Sequence, residues 1–253
     1  NMKQSDRFLN SSMVVFGNWT SKPYQGFKEG RDIRLHERDR EITEQEFSKT
    51  VDEVGAQYNT SATVSNGQQY LATSISGVYP NHTKIDKVQM LQGRFINAID
   101  VKESRKVLVL GEKQAKELKC RIGDFVNVGN IAFKVVGIYK ENENGRATIF
   151  SSYSAIKRIF GANTADAGRI EFTFHGLSTE KANEDFEKSY RHRLNAEHQV
   201  HPEDEDAIWL WNRFTQNLQM ENAMGILRTA LWIVGLFTLL SGIVGVSNIM
   251  LIT

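Results

Sequence analysis

The sequence predicts an α+β fold in two parts, followed by a long helix that ends in one membrane span. Three observations support this prediction. Residues 229–253 contain no Asp, Glu, Lys, Arg or His, and Arg228 stands immediately before them. Hairpin and helix patterns alternate over residues 1–92 and again over 165–211. Residues 93–164 differ from both flanking regions because short strands and tight turns dominate there, as in a small inserted β-rich unit.

The terminal segment is long enough to cross a membrane. A helix rises about 1.5 Å per residue, so about 20 apolar residues cross a hydrocarbon core of about 30 Å. Small and hydrogen-bonding residues, of the kind found where membrane helices touch, recur in it: Gly235, Ser241, Gly242, Gly245, Ser247 and Asn248. The alternative is an apolar core helix of a soluble domain. A buried soluble helix seldom runs this far without one charge.

Composition excludes several classes of protein. The 31 basic and 30 acidic residues leave a formal net charge of +1, so no overall field favours nucleic acid. The single cysteine, Cys120, excludes an internal disulfide framework and a cysteine-based zinc site. Residues 1–12 are polar and lack the apolar stretch of a signal peptide. We expect them to be the end of a helix rising out of the membrane, with the natural N-terminus upstream.

The first part of the chain is predicted to open with a strand over residues 13–16 and to continue with a short amphipathic helix. Residues 43–46, Thr-Glu-Gln-Glu, have the pattern of a capping box, in which the Thr and the final Glu satisfy each other's free backbone amides. Phe47, Val51 and Val54 then fall at i, i+4 and i+7, which predicts one apolar helical face.

A hairpin and a second helix follow. Two alternating runs, 57–65 and 69–78, flank Asn66-Gly67, and Asn-Gly between strand-like runs is the strongest short hairpin signal because both residues tolerate positive φ. Pro80 then predicts the start of a helix that stops at Gly93.

The β-rich unit, residues 93–164, has its own series of short elements. The sequence predicts a strand over 106–111, a helix over 112–119, strands over 123–128 and 131–139, a strand over 148–150 and a helix over 152–160. Beyond it, residues 169–175 alternate as a strand, and a charged helix is predicted from residues 178–180 to about 196. A polar helix over 212–228 should continue into the span as a rigid stalk, because no Pro intervenes.

Two groups of residues resemble known families. The run Gly-Ile-Val-Gly-Val-Ser-Asn-Ile-Met-Leu-Ile-Thr at the end of the chain resembles the second transmembrane helix of FtsX-like permeases. Over residues 90–160 the sequence resembles the MacB-like periplasmic core domain through an ordered series of motifs: Gly93-Arg94-Phe95, Asp100, Val107-Leu108-Val109-Leu110-Gly111, Ile122-Gly123-Asp124, Phe133-Lys134-Val135-Val136-Gly137-Ile138 and Ser152-Tyr153-Ser154. Leu118-Lys119-Cys120 departs from the apolar Leu-Phe usual after the short helix.

The resemblance implies a subdomain scheme. Residues 1–92 and 165–211 would form a porter-like subdomain, and 93–164 an inserted sabre-like subdomain. Residues 212–228 would be the stalk and 229–253 the transmembrane helix of a truncated permease, with a cytoplasmic tail and a first membrane helix upstream.

The resemblance also implies a function, namely an ABC transporter permease subunit of the bacterial inner membrane whose residues 1–228 are mostly periplasmic. Its head would carry out mechanotransmission, coupling cytoplasmic ATP hydrolysis to periplasmic motion for efflux of peptides, drugs or lipoproteins. The implied partners are a fused or separate cytoplasmic ABC ATPase, a second permease subunit in a homo- or heterodimer, membrane lipid and, in some members, a periplasmic adaptor and an outer-membrane channel. Some members only signal across the membrane.

Chemical motifs are scarce, and we expect no enzyme and no catalytic, cofactor-binding or metal-binding residue. The sequence contains no phosphate-binding Gly-Lys-Ser/Thr loop, no Gly-x-Ser-x-Gly elbow and no His-Glu-x-x-His helix. The best metal candidates are His192, His198, His201 and the acidic run 203–206, but Pro202 interrupts regular structure, which favours a solvated acidic loop. The other histidines, which are His36, His82 and His175, are expected to be structural.

Two alternatives remain for the function and one for the aromatic residues near the stalk. A membrane-anchored sensory or binding domain without transport would be favoured by a small-molecule pocket in the β-rich unit and a monomeric head. An anchored hydrolase is the weakest alternative because the sequence offers no nucleophile–base pair. Trp209 and Trp211 favour sheet-edge packing or an interfacial anchor over a substrate-facing aromatic surface.

Overall fold

The computed structural model describes residues 11–141, 147–161 and 165–250, with side chains up to residue 244 in the last stretch. The chain divides into two compact units, one ending at Asn212 and one beginning at Arg213. The helix predicted over residues 1–12 lies outside the described residues, except that Ser12 already belongs to the first strand.

Ten strands of the first unit form one mixed sheet. They are β1 Ser12–Gly17, β2 Val51–Asn66, β3 Gln69–Val78, β4 Met90–Gly93, β5 Val107–Gly111, β6 Phe125–Val128, β7 Ile131–Tyr139, β8 Ile149–Ser152, β9 Arg169–Phe174 and β10 Ile208–Asn212. Their order is β10-β1-β9-β2-β3-β8-β5-β7-β4, and β6 pairs with β2 and β7. The β3–β8 and β5–β7 pairs are parallel, and the other described pairs are antiparallel.

The described helices are α1 Glu37–Glu46, α2 His82–Asp86, α3 Ala98–Lys102, α4 Glu112–Glu117, α5 Tyr153–Phe160, α6 Glu180–Glu197 and α7 Arg213–Met250. The predicted α+β class is confirmed by this mixture of a sheet with covering helices. Thr179 caps α6 by accepting the Ala182 N–H at 3.2 Å, which places the start of that helix where the sequence predicts it.

The amphipathic helix predicted after residue 43 is wrong. The helix starts earlier, after His36, because the Asp39 carboxylate accepts the His36 N–H at 2.7 Å, and it ends at Glu46. Val51 and Val54 lie in β2, opposite Phe174 and Phe172 of β9, with an irregularity in register between them. A bulge of this kind places three residues where two are expected, so an apolar spacing of three imitates a helix.

The helix predicted to start at residues 80–82 is confirmed at its start, but its predicted end near Gln92 is wrong, because α2 ends at Asp86 and β4 occupies residues 90–93. Lys87 adopts a left-handed conformation with φ of 50° and donates its N–H to the Thr83 carbonyl, which ends the helix.

The hairpin between β2 and β3 is confirmed, with a different turn. Asn66 pairs with Gln69, so the turn residues are Gly67 and Gln68. Gly67 has a φ of +60°, as expected when glycine occupies the first position of a two-residue turn.

One ten-stranded sheet runs through the first unit. We call residues 93–164 the β-rich block and the remainder of the unit the helix-covered lobe. In the lobe, α1 and α6 cover the sheet face that carries Phe172, whose ring lies 5.5 Å from that of Tyr190 in α6. The block has an apolar core that includes Leu108, Leu110, Phe133 and Val135, and Val64 and Ile75 from the β2–β3 hairpin belong to the same cluster. The hairpin therefore contributes to the core of the block as well as to the sheet of the lobe.

The second unit is the helix α7. It runs from Arg213 to Met250 without a proline. Its stretch Arg213–Val244 is long and apolar enough to cross a membrane, with a mean hydropathy of 1.8 in its most apolar window and none of that window buried. Residues 229–250 of the predicted span thus lie on one continuous helix, and the rest of the span lies outside the described residues. The side chains of Gly245, Ser247 and Asn248 lie outside the described ones.

Candidate functional site

The candidate site is the attachment of β10, the strand immediately before α7. We call residues 204–212, together with Asn183, Glu187 and Arg191 of α6, the β10 anchor. β10 pairs antiparallel with β1 from Ile208 opposite Gly17 to Asn212 opposite Met13. It is the last strand at its end of the described sheet, so its remaining support comes from side chains.

Three residues of α6 hold the two ends of β10. The Asn212 side chain is nearly buried, and its amide donates to Asn183 Oδ1 at 2.9 Å and to Glu187 Oε1 at 2.7 Å. Asn183 is itself fixed because its amide donates to the Leu177 and Thr179 carbonyls. At the other end, Arg191 Nε donates to the Ile208 carbonyl at 3.0 Å. The first and last residues of β10 are therefore both bonded to one helix.

A buried carboxylate organises the loop before β10. Asp204 is fully buried and accepts hydrogen bonds from Ser21 N at 2.8 Å, Ser21 Oγ at 2.9 Å and Lys22 N at 3.0 Å. It also accepts the N–H groups of Asp206 and Ala207. Burial alone would raise the pKa of Asp204, but these donors outweigh it and hold the pKa below its usual value. The acidic run is therefore not wholly a solvated loop, since Asp204 ties it to the segment after β1.

Aromatic residues lie on the face of β10 that points away from α6. Trp209 is 51% exposed, and its ring centroid lies 5.2 Å from that of Phe16 in β1. The Arg169 guanidinium lies 4.8 Å above the Phe16 ring from β9. Trp211 shares this face by the alternation of the strand and is half-buried. The predicted packing of Trp209 and Trp211 at a sheet edge agrees with this arrangement.

A second charged network joins the lobe to the block. His82 of α2 is buried, with Nδ1 2.8 Å from Glu171 Oε1 and Nε2 3.1 Å from Asp86 Oδ2. Its ring lies 5.2 Å from that of Phe150 in β8. Burial alone would lower the pKa of His82, but the carboxylates of Glu171 and Asp86 outweigh it and raise the pKa to about 10. The raised pKa favours the protonated form of His82 at neutral pH.

A cleft lies beside this network. Its volume is about 330 Å³, and its lining includes His82, Asp86, Lys87, Tyr139, Lys140 and Glu141. Charges of both signs and aromatic surface face it, which suits a small polar molecule better than an apolar one.

The sequence candidates for a metal site are only partly brought together. His192 is exposed on α6, and His201 lies against the Tyr24 ring at 5.6 Å. His198 instead faces Asp39 and His36, and among the described residues these three can bring ligand atoms within 4.8 Å of one another. His36 and Asp39 were missed as candidates because they lie about 160 residues from His198 in the chain. The helix-capping spacing of His36 and Asp39 is the local signal that could have drawn attention to them.

Comparison with known proteins gives consistent matches. The family model described as the MacB-like periplasmic core domain matches residues 2–188. The "Macrolide export ATP-binding/permease protein MacB" of Mannheimia succiniciproducens is 22% identical over 194 residues, which is 74% of this chain and 29% of that protein. The protein of the same name from Aggregatibacter actinomycetemcomitans is 23% identical over 207 residues, 77% of this chain and 31% of that protein. The chain thus spans less than a third of the length of these relatives.

Two crystal structures share the fold. The periplasmic region of MacB from Actinobacillus actinomycetemcomitans superposes with a TM-score of 0.67 at 18% identity, covering 87% of this chain and 97% of that one. The extracellular domain of the noncanonic ABC-type transporter YknZ from Gram-positive bacteria gives a TM-score of 0.63 at 18% identity, covering 79% and 100%. With the family model matching most of its length, this chain belongs to the family of MacB-like periplasmic core domains of ABC transporter permeases.

Proposed function

We propose that this domain transmits motion between the membrane and the periplasm in an ABC transporter that exports peptides, drugs or lipoproteins. The observation that best supports the proposal is the β10 anchor. The strand β10 is hydrogen-bonded to α6 at both ends, and the uninterrupted helix α7 follows it directly in the chain. A displacement of α7 in the membrane would act on Asn212 through one peptide bond. Moving the strand without α6 would break the hydrogen bonds between them, so we expect the lobe to move as one body.

The physical requirements for such transmission are stiffness and attachment. A helix without proline resists bending, whereas proline in a helix interior removes a backbone hydrogen bond and costs about 3 kcal/mol. The anchor provides the attachment through hydrogen bonds that include the charged groups of Glu187 and Arg191, which are stronger than neutral ones. Neither requirement involves chemistry in the domain itself, and we propose that it is not catalytic.

The partners follow from the same proposal. ATP would be hydrolysed by a cytoplasmic ABC ATPase, fused or separate, and the permease would act as a homo- or heterodimer. The relatives named above carry ATP-binding, permease and macrolide-export functions in their names, which supports this arrangement. The apolar part of α7 would contact lipid in the bacterial inner membrane, with residues 1–228 mostly periplasmic. A periplasmic adaptor and an outer-membrane channel would receive the substrate.

We further propose that the two regions of the first unit correspond to porter-like and sabre-like subdomains, with boundaries near residues 93 and 165. The apolar cluster formed mainly by residues of the β-rich block supports this division. The β2–β3 hairpin crosses the boundary, because Val64 and Ile75 belong to the core of the block. We therefore expect the subdomains to move together rather than to hinge at residue 93.

The test interrupts α7 between the anchor and the span. Asn217 and Asn222 are exposed on the stalk, and replacing both by Pro breaks the helix without touching the anchor. The full-length permease and its ATPase are reconstituted in nanodiscs for ATP turnover, and export or drug resistance is measured in cells. We expect the double-Pro variant to hydrolyse ATP but to lose export.

The matched control replaces the same two residues by Ala, which favours the helix. We expect this variant to retain both activities. Export that survives the double-Pro change at the wild-type rate would overturn mechanotransmission and favour a binding or tethering role.

The cleft of about 330 Å³ at the edge of the β-rich block favours a second candidate, a membrane-anchored sensory or binding domain without transport. Under that function the double-Pro variant would keep its output. Replacing Lys87 in the cleft by Glu would abolish the output, and the same change should leave an exporter unaffected.

A further inference from the structure

A further polar cluster of the lobe lies where the start of α1 meets the end of α6. We propose that His36, Asp39 and His198 bind a divalent transition-metal ion of the zinc type. His36 precedes α1, Asp39 stands in its first turn and His198 follows the last residue of α6. Two imidazoles and one carboxylate form a donor set that zinc prefers, and a fourth position can hold water.

The separations of the side chains suit one ion. Two imidazoles bound to one tetrahedral ion through Zn–N bonds of about 2.0–2.1 Å have ring centres about 5 Å apart. The rings of His36 and His198 lie 5.2 Å apart. His198 Nε2 is 2.8 Å from Asp39 Oδ2, and ligand atoms of all three residues lie within 4.8 Å of one another. Small side-chain rotations would bring them around one centre.

The strongest sign of a ligand is the second oxygen of Asp39. Asp39 is fully buried, and its Oδ1 has no hydrogen-bond partner among the described residues. Oδ2 accepts the His36 N–H at 2.7 Å and lies 2.8 Å from His198 Nε2. An unpartnered buried carboxylate oxygen is costly, and a bound cation would satisfy it while Oδ2 keeps the His36 N–H.

The surroundings hold these groups in place and leave an entrance. Thr43 Oγ1 donates to the Asp39 carbonyl at 2.7 Å. Arg31 Nη2 donates to the carbonyls of His198 and Gln199, which positions the end of α6 without using the imidazole. His36 is exposed, so an ion reaches the cluster from solvent. The bound ion would join two helices that are about 160 residues apart in sequence.

The test measures zinc binding by the full, untagged chain in detergent micelles, using isothermal titration and the visible spectrum of the Co²⁺-loaded protein. We expect one ion per chain, a tetrahedral Co²⁺ spectrum and a higher unfolding temperature with Zn²⁺. His36→Gln changes an exposed side chain and should leave the fold intact. We expect it to weaken binding about tenfold or more, since even the loss of an outer partner of a metal ligand weakens binding by about 10- to 100-fold.

His198→Gln should weaken binding similarly, and His192→Gln provides the matched control because His192 is exposed on the same helix. We expect His192→Gln to bind as tightly as wild type. Circular dichroism confirms that each variant is folded. The proposal is overturned if the wild-type chain shows no saturable binding, or if folded His36→Gln binds zinc with unchanged affinity. In either case the cluster is only a hydrogen-bonded attachment of α6 to α1.

Discussion

The two regions of the first unit both have apolar interiors, but their buried polar contacts differ in how far apart the bonded residues lie in the sequence. In the β-rich block the central residues, such as Leu108, Phe133 and Val135, are aliphatic or aromatic and fully buried. In the helix-covered lobe, several of the long-range contacts are made by buried polar groups, including Asp39, Glu171 and Asp204. The block also has buried polar contacts, such as those of Ser151 with Val107 and Asp100 with Arg94, but these join residues only 44 and 6 positions apart. The contacts of Asp39 and Asp204 in the lobe join residues 159 and 183 positions apart.

This difference bears on the proposed function. Apolar packing tolerates small changes of volume and shape, whereas a buried carboxylate requires its own donors. A region that must transmit displacement without slipping benefits from such specific attachments. The lobe contains them at β10, at the loop before it and at the junction with the block.

The largest effect is expected at that junction. Glu171→Gln removes the charge opposite buried His82, and breaking one side of a buried pair costs about 3–5 kcal/mol. We expect the free energy of unfolding at pH 7, measured by urea denaturation, to fall by that amount. Glu53→Gln is the control, because Glu53 and its partner Lys84 are both about half exposed, and exposed pairs contribute about 0–1 kcal/mol.

The pH dependence identifies the ionised pair as the cause. The pKa of His82 is raised from 6.5 to about 10, so its stabilising contribution is complete below about pH 6.5 and is lost as the pH rises towards 10. The difference between wild type and Glu171→Gln should therefore shrink over this interval. A difference that stays constant up to pH 10 would mean that the pair is not ionised at neutral pH.

The next largest effect tests whether the block and the lobe unfold together. Leu108 is fully buried, and truncating such a leucine to Ala costs about 2–5 kcal/mol. Because Val64 and Ile75 of the hairpin share this core, we expect Leu108→Ala to lower the unfolding temperature of the whole first unit in one calorimetric transition.

Leu91→Ala is the control for this change, since Leu91 is 46% exposed in β4 of the same sheet; we expect little effect. If Leu108→Ala instead produces two transitions, with the lobe melting at its original temperature, the hairpin does not couple the regions.

The contrast between local apolar patterns and contacts over long sequence distances explains how far the sequence predicts the fold. Strands β5 and β7 follow from a continuous apolar run and from alternation, because apolar periodicity depends only on neighbours in the chain. The helix predicted at Val51 and Val54 failed because a bulge in β2 lengthens the apolar spacing from two residues to three. The left-handed conformation of Lys87 ends α2 early. The position carries neither glycine nor proline, so the sequence does not predict this end.

The candidate sites were harder to predict, because their members are distant in sequence. Asp204 is separated from Ser21 by 183 residues, and His198 from Asp39 by 159. Each residue alone is typical of a surface loop or a helix end. Only the sheet order, which places β10 beside β1 and α6 over both, brings them together. The family resemblance predicted the architecture but did not identify these contacts.

A smaller effect is expected at the loop before β10. Asp204→Asn removes the charge of a carboxylate that accepts five hydrogen bonds. A hydrogen bond to a charged group contributes about 1.5–3 kcal/mol to the free energy of unfolding. Because the pKa of Asp204 is lowered, this stabilisation is present above about pH 4 and is lost as the pH falls through the folded-state pKa. Stability measured against pH should thus be less acid-sensitive in Asp204→Asn than in wild type. Asp206→Asn, an exposed neighbour, should behave as wild type, and equal behaviour of both variants would contradict the role of Asp204.

The smallest effect is expected on the outer face of β10. Two adjacent residues, Trp209 and Leu210, allow the contribution of this exposed face to be compared with that of the buried face. Trp209 is 51% exposed and meets Phe16, whereas Leu210 is nearly buried on the opposite face. An aromatic pair contributes about 0.5–1.5 kcal/mol beyond its buried area, so we expect Trp209→Ala to cost about 1 kcal/mol and Leu210→Ala about 2–5 kcal/mol. Thermal unfolding of both variants measures this difference. If Trp209→Ala proves as destabilising as Leu210→Ala, the outer face must be covered by another chain, and the effect would then depend on protein concentration. If Trp209→Ala destabilises less than Leu210→Ala, and its effect does not depend on protein concentration, then β10 is attached mainly by the hydrogen bonds of α6 and by the buried face of the strand.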